Sequence, residues 1–198
     1  MRKKLLVLLT VFCALSLHVQ GQIESGLVVG VGLGSLNTDI NPSTQEKIKF
    51  SEVDYKSNFS IGYRFRIRPA EVLPLFVDLD ANLGIKSWHS SYSNSLSEPP
   101  LYEASSQYYF LSAGGTANYP IYKAWSIGAG IEPTYYFKQD GESSNNEFDV
   151  PLVGKLAYHF KLFELGISYK YGLMNTIKTD YIKSGKFRDW QLSIWIPF

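Results

Sequence analysis

Apolar and polar residues alternate with a period of two through most of this chain. Between Phe187 and Phe198, Trp190, Leu192, Ile194, Ile196 and Phe198 share one parity, and Asp189, Gln191, Ser193, Trp195 and Pro197 share the other. Residues two apart lie on one face of a strand, so this stretch reads as a strand with one apolar face. Seven earlier segments read the same way, at about 25–36, 52–67, 72–86, 103–118, 124–138, 148–160 and 163–173. In the first, Leu27, Val29, Val31 and Leu33 oppose Gly26, Gly30, Gly32 and Gly34. In the third, Leu73 to Ile85 form an apolar row opposite Asp78, Asp80, Asn82, Gly84 and Lys86. The fourth has the weakest pattern, because aromatic residues stand on both of its faces.

The connections alternate as well. Those at 37–51, 87–102, 139–146 and 175–186 are long and polar, and those at 68–71, 119–123 and 161–162 are short. Antiparallel strands place successive connections at opposite ends, so one end gathers the long loops and the other the turns. Eight strands in this rhythm predict an all-β, antiparallel up-and-down barrel crossing a membrane, with long loops outside and both termini periplasmic. The glycines of the first strand are expected to face inward and free room for side chains from across a narrow lumen. A soluble lipocalin-like barrel would reverse the faces and need an apolar interior. The polar parity argues against that, since it carries Arg64, Arg66, Asp78, Asp80, Glu132, Lys155, Glu164 and Lys170.

Arg2, Lys3 and Lys4 precede an apolar run from Leu5 to Leu17, the pattern of a secretory signal peptide with cleavage expected after Gly21. That leaves 22–198 as one barrel domain, with a formal charge of −2 from 16 basic and 18 acidic residues. The near-neutral balance gives no support for nucleic-acid binding. Cys13 falls within the removed segment, so the mature chain has no thiol nucleophile, disulfide or cysteine metal site. No compact histidine cluster appears, and Asp140-Gly141-Glu142 reads as a turn and not a calcium loop. No cofactor or metal is expected.

With its export segment, glycine-rich first strand, connection rhythm and aromatic final residue, the chain resembles the eight-stranded outer-membrane barrel proteins. More specifically, it resembles the outer-membrane β-barrel domain proteins of Bacteroidota-type bacteria, from Gln22 through Phe198. The resemblance implies a bacterial outer-membrane location and contact with outer-membrane lipid. It also implies that Trp190, Leu192, Ile194, Ile196 and Phe198 are presented to the barrel-assembly machinery. It matches an architecture more than an activity, because related barrels serve adhesion, anchoring, secretion and lipid modification.

Three candidate sites follow. The luminal charges must find partners in a narrow interior, so Arg64 and Arg66 are expected to pair with acids drawn from Asp78, Asp80, Glu132 and Glu164, with Lys155 and Lys170 joining them. A packing role is favoured over ion conduction. In the second long connection, Trp88, Tyr92, Leu96, Leu101 and Tyr102 offer apolar anchors for an extracellular or envelope protein, or fold back over the barrel mouth. A lipid acyl hydrolase or transferase needs a nucleophile, a base and an orienting group. His89 sits among serines, and His159 sits near the turn end with Glu164 and Ser168 on the next strand, so neither favours an enzyme. The reading is an outer-membrane barrel with a structural, adhesion or envelope-interaction role, with a narrow or gated pore second.

Overall fold

Alternation on this scale leaves each strand with one face for lipid and one for the interior, and closing the sheet satisfies both. The computed structural model describes residues 22–40, 48–69, 74–94, 101–138, 147–176 and 182–198. Strand β1 is Gln22–Ile40, β2 Ile48–Arg68, β3 Phe76–Asn94 and β4 Leu101–Tyr122. Strand β5 has two segments, Trp125–Ile131 and Thr134–Lys138, and so does β6, Phe148–Asp149 and Leu152–His159. Strand β7 is Glu164–Tyr171 and β8 is Ile182–Pro197.

Each strand pairs antiparallel with its successor, and β8 pairs back onto β1 from Gly26↔Pro197 to Ile40↔Ile182. The sheet is therefore a closed eight-stranded barrel. Closure gives backbone groups partners within the sheet, which a hydrocarbon environment requires. The breaks in β5 and β6 fall at Pro133 and Pro151, which have no N–H to donate. Their carbonyls still accept, from Ala113 N–H at 3.0 Å and Glu132 N–H at 3.0 Å. The wall thus stays bonded across both interruptions.

The two faces separate cleanly. Leu27, Ile61, Leu83, Leu111, Ile127 and Ile194 point outward, each 43–59% exposed. Arg66, Asp78, Ser112, Asn118 and Asp189 point inward, each at most 1% exposed. Only a lipid solvent makes that arrangement favourable, so the lipocalin-like alternative is excluded.

Strand boundaries depart from the alternation pattern in three places. Strand β3 begins at Phe76 and not near Val72, just after Pro74, and Phe76 turns into the interior at 2% exposure. Strand β4 continues past Pro120 to Tyr122, where a turn was expected, and Tyr122 pairs with Trp125. A register shift between Pro120 and Tyr122 absorbs the proline. Lys123 makes the turn with a φ of 46°. Most importantly, residues 37–40, 48–51, 87–94, 101–102 and 182–186, expected as parts of polar loops, are strand. The β2–β3 ladder reaches Ile48↔Asn94, and β3–β4 reaches Ser93↔Leu101. A membrane crossing takes only about 9–11 residues, and the outward apolar row of β3 ends at Ile85, so this part of the sheet continues beyond the bilayer.

Inward glycines make room for neighbouring strands, not for the far wall. A Cβ on Gly30 would lie 2.2 Å from Gln191 Nε2 and 2.7 Å from Ser60 Oγ, on β8 and β2. One on Gly84 would lie 2.4 Å from the Phe110 ring on β4. In a barrel this narrow, the first clash is with an adjacent strand, through its side chains or its backbone carbonyls.

Candidate functional site

The interior is organised by register. On β2 and β3, Arg64 stands opposite Asp80 and Arg66 opposite Asp78. Each pair forms a two-point bridge. Arg64 Nε and Nη2 donate to Asp80 at 2.6 and 2.8 Å, and Arg66 Nε and Nη2 donate to Asp78 at 2.7 and 3.0 Å. Planar guanidinium and carboxylate groups fit this geometry, which strengthens and orients the contact. Glu164, at the start of β7, reaches both arginines, accepting from Arg64 Nη1 at 3.0 Å and Arg66 Nη2 at 2.6 Å. Lys155 on β6 bridges Asp78 at 2.8 Å and Glu164 at 2.7 Å. Arg66 is also sandwiched between Phe76 and Trp195, each ring centroid 4.2 Å from its guanidinium carbon.

Glu132 and Lys170 form a separate pair, 2.6 Å apart. They border a luminal cavity of about 30 Å³ that also touches Arg64, Asp80, Lys155 and Gln191. A polar space of that size holds a water molecule or two and not a stream of solute.

Toward the other end, Lys86 Nζ donates to Asp189 at 2.5 Å and to the Tyr136 hydroxyl at 3.2 Å. It lies over the faces of Phe110, Tyr136 and Phe187 at 5.5, 5.3 and 4.7 Å. Tyr108 packs edge-on against Tyr136 and Phe187. This second cluster did not stand out in the sequence, although Lys86 and Asp189 both carry the inward parity of their strands. Parity was the signal available.

His159 closes the turn end of the charged cluster. Its Nδ1 lies 3.0 Å from Glu164 Oε2, and its Nε2 lies 3.2 Å from Ser126 Oγ. Serine, histidine and carboxylate in that sequence resemble an acyl-transfer triad. The surroundings do not suit one. Ser126 is 1% exposed, so no carbonyl reaches its oxygen, and Glu164 is already engaged by Arg64, Arg66 and Lys155. The contacts hold the imidazole in place at the mouth. Ser168 takes no part in them.

The apolar residues expected on the second loop stand on strands. Trp88 and Tyr92 belong to β3, and Leu101 and Tyr102 to β4, with Tyr92↔Tyr102 and Ser93↔Leu101 in register. Leu96 lies outside the described residues. His89 is aligned with Asp54 on β2 and Ser105 on β4. Trp190, Leu192, Ile194 and Ile196 form the outward row of β8, and Phe198 follows one residue past the strand, the five 42–75% exposed. Among the described residues, no three of His, Cys, Asp and Glu gather as metal ligands.

Residues 20–178 match the family model described as outer membrane protein beta-barrel domain. The chain belongs to that family. It is accordingly an outer-membrane β-barrel protein. Among solved structures it is similar to the outer membrane protein OprG from Pseudomonas aeruginosa, at 17% identity and a TM-score of 0.51, over 88% of this chain and 91% of that one. It is also similar to Ail, the attachment invasion locus protein of Yersinia pestis, solved with the heparin analogue sucrose octasulfate. There the identity is 15% and the TM-score 0.46, over 89% of this chain and 99% of that one. A de novo designed transmembrane β-barrel matches at 15% identity and a TM-score of 0.40, covering 87% and 95%. No curated protein matches the chain.

Proposed function

We propose that this protein is a membrane-anchored platform that contacts a protein partner through the part of its wall standing outside the bilayer. The observation carrying this reading is the length of β2, β3 and β4, at 21, 19 and 22 residues, about twice what a crossing takes. The surplus runs through Ser87-Trp88-His89-Ser90-Ser91-Tyr92-Ser93, a polar stretch with aromatic anchors, the composition of a contact surface. By the usual asymmetry of such barrels, this end is extracellular and the termini are periplasmic. The outward row of β8 is the segment offered to the assembly machinery, and the lineage is of the Bacteroidota type. Photoreactive amino acids at Trp88 and Tyr92 in living cells test the reading. A discrete cross-linked protein supports it, and cross-links to lipid alone remove it.

A narrow pore is the second reading, supported by the charged cavity in mid-lumen. Against it stands the interlocked layer of Arg64, Arg66, Asp78, Asp80, Lys155 and Glu164. Single-channel recording separates the two. A packed lumen gives silent bilayers, whereas reproducible conductance altered by Arg64→Ala makes the layer a selectivity element.

A further inference from the structure

The turn end of the barrel opens into a concave vestibule of about 670 Å³, within the range of small-molecule sites. Its floor is the Arg66 guanidinium between Phe76 and Trp195. Arg66 itself is fully engaged by Asp78 and Glu164, so the floor contributes apolar rings and a fixed, neutralised charge. The indole N–H of Trp195 is buried beneath the floor and has no hydrogen-bond partner among the described residues. Trp125, Phe160 and Phe163 form part of the wall.

The rim is different. Arg68, Lys123 and Lys161 all line the vestibule. Among the described residues, Arg68 meets a carboxylate only at Glu24, at 3.4 Å, with both side chains over a third exposed. Lys123 lies over the Tyr122 ring at 5.1 Å. Among the described residues, neither lysine has a carboxylate partner. With Arg66 neutralised by Asp78 and Glu164, the rest of the lining sets three permanent cations, Arg68, Lys123 and Lys161, against one carboxylate, Glu24. A cleft of one sign with low-dielectric walls focuses its field on the opposite charge. Rings below and cations above match a molecule that has an apolar body and an anionic head.

We propose that this vestibule binds a small amphipathic anion, a phosphate or carboxylate on an apolar body, with the head among Arg68, Lys123 and Lys161 and the body over Phe76 and Trp195. The chemistry is shared by a soluble molecule and by the headgroup of an anionic lipid. The site lies at the opposite end from the projecting strands, so it stands or falls independently of the platform reading.

The test follows the Trp195 indole and His159 ring resonances by NMR in phosphatidylcholine nanodiscs, with phenyl phosphate as the probe and benzyl alcohol as its uncharged counterpart. Phenyl phosphate is expected to shift both sets saturably, and benzyl alcohol much more weakly. The double variant Lys123→Gln/Lys161→Gln alters exposed turn residues and leaves the sheet intact. It is expected to weaken phenyl phosphate roughly five- to tenfold, from two exposed charge contacts. Nanodiscs containing phosphatidylglycerol distinguish the sources. If they produce the same shifts without probe and exclude phenyl phosphate, the occupant is a lipid headgroup, and if they do not, it is a soluble anion. Equal binding of benzyl alcohol, unchanged affinity in the double variant, or no shift with either phenyl phosphate or phosphatidylglycerol overturns the proposal.

Discussion

The two ends of the lumen solve the same problem differently. Near the turns, three cations and three carboxylates interlock, and Asp78 and Glu164 each touch more than one cation. Toward the projecting strands, Asp189 has Lys86 as its one cation among the described residues, and its Oδ1 has no hydrogen-bond partner among them. The surroundings there include the rings of Phe110, Tyr136 and Phe187. Taking a charge out of water costs several kcal/mol, and the cost returns in full when its counter-charge is removed. Redundancy therefore protects the first cluster, while among the described residues the Asp189 carboxylate relies on Lys86. A barrel too narrow for solvent has to distribute its charges or confine them to a few tight pairs, and this one does both.

That contrast breaks most easily at Lys86. Lys86→Leu leaves Asp189 buried at 1% exposure without its cation, and about 3–5 kcal/mol of stability is expected to be lost. Urea unfolding in lipid vesicles measures it, and adding Asp189→Leu should restore most of the loss. A single-variant cost below about 1 kcal/mol would show that the aromatic cage, and not the ion pair, holds this end together.

Asp149 comes next. Its Oδ1 accepts the backbone N–H groups of Val150, Leu173 and Met174, at 2.8, 3.1 and 2.9 Å. The β6–β7 ladder ends at Leu152↔Tyr171, so this carboxylate joins the two strands just beyond it. Asp149→Ala is expected to cost about 1–3 kcal/mol, the desolvation of stranded N–H groups. Hydrogen exchange should quicken at Leu173 and Met174 while β2–β3 amides stay protected. Uniform exchange across the barrel would count against a local clamp.

The smallest effect is expected in the redundant cluster. Lys155→Met leaves Asp78 with Arg66, and Glu164 with both arginines, so the loss should be about 1–2 kcal/mol, the worth of a charged hydrogen bond. If it matches Lys86→Leu, the clusters are equivalent and the contrast fails.

Much of this was legible in the residues. The parity of all eight strands followed from alternation, because a lipid boundary on one side and a filled lumen on the other leave no third choice. The inward charges followed from the same rule. The extents of β2, β3 and β4 did not. Their outer halves lack apolar alternation, and cross-strand hydrogen bonding holds polar residues such as Ser90 and Ser91 in sheet where composition suggested loop. The start of β3 falls just after Pro74, and β4 runs on past Pro120 because a register shift against β5 absorbs that proline.

By itself, then, the chain's alternation determined a closed membrane barrel, its count of strands and the side on which each residue stands. Tertiary structure alone decided who meets whom. Arg64 and Glu164 are a hundred positions apart and become neighbours only when the sheet curls shut, Glu132 goes to Lys170 and not to an arginine, and Phe76 and Trp195 close on Arg66. Facing direction is a property of one strand's period, whereas pairing depends on the register and curvature of all eight together.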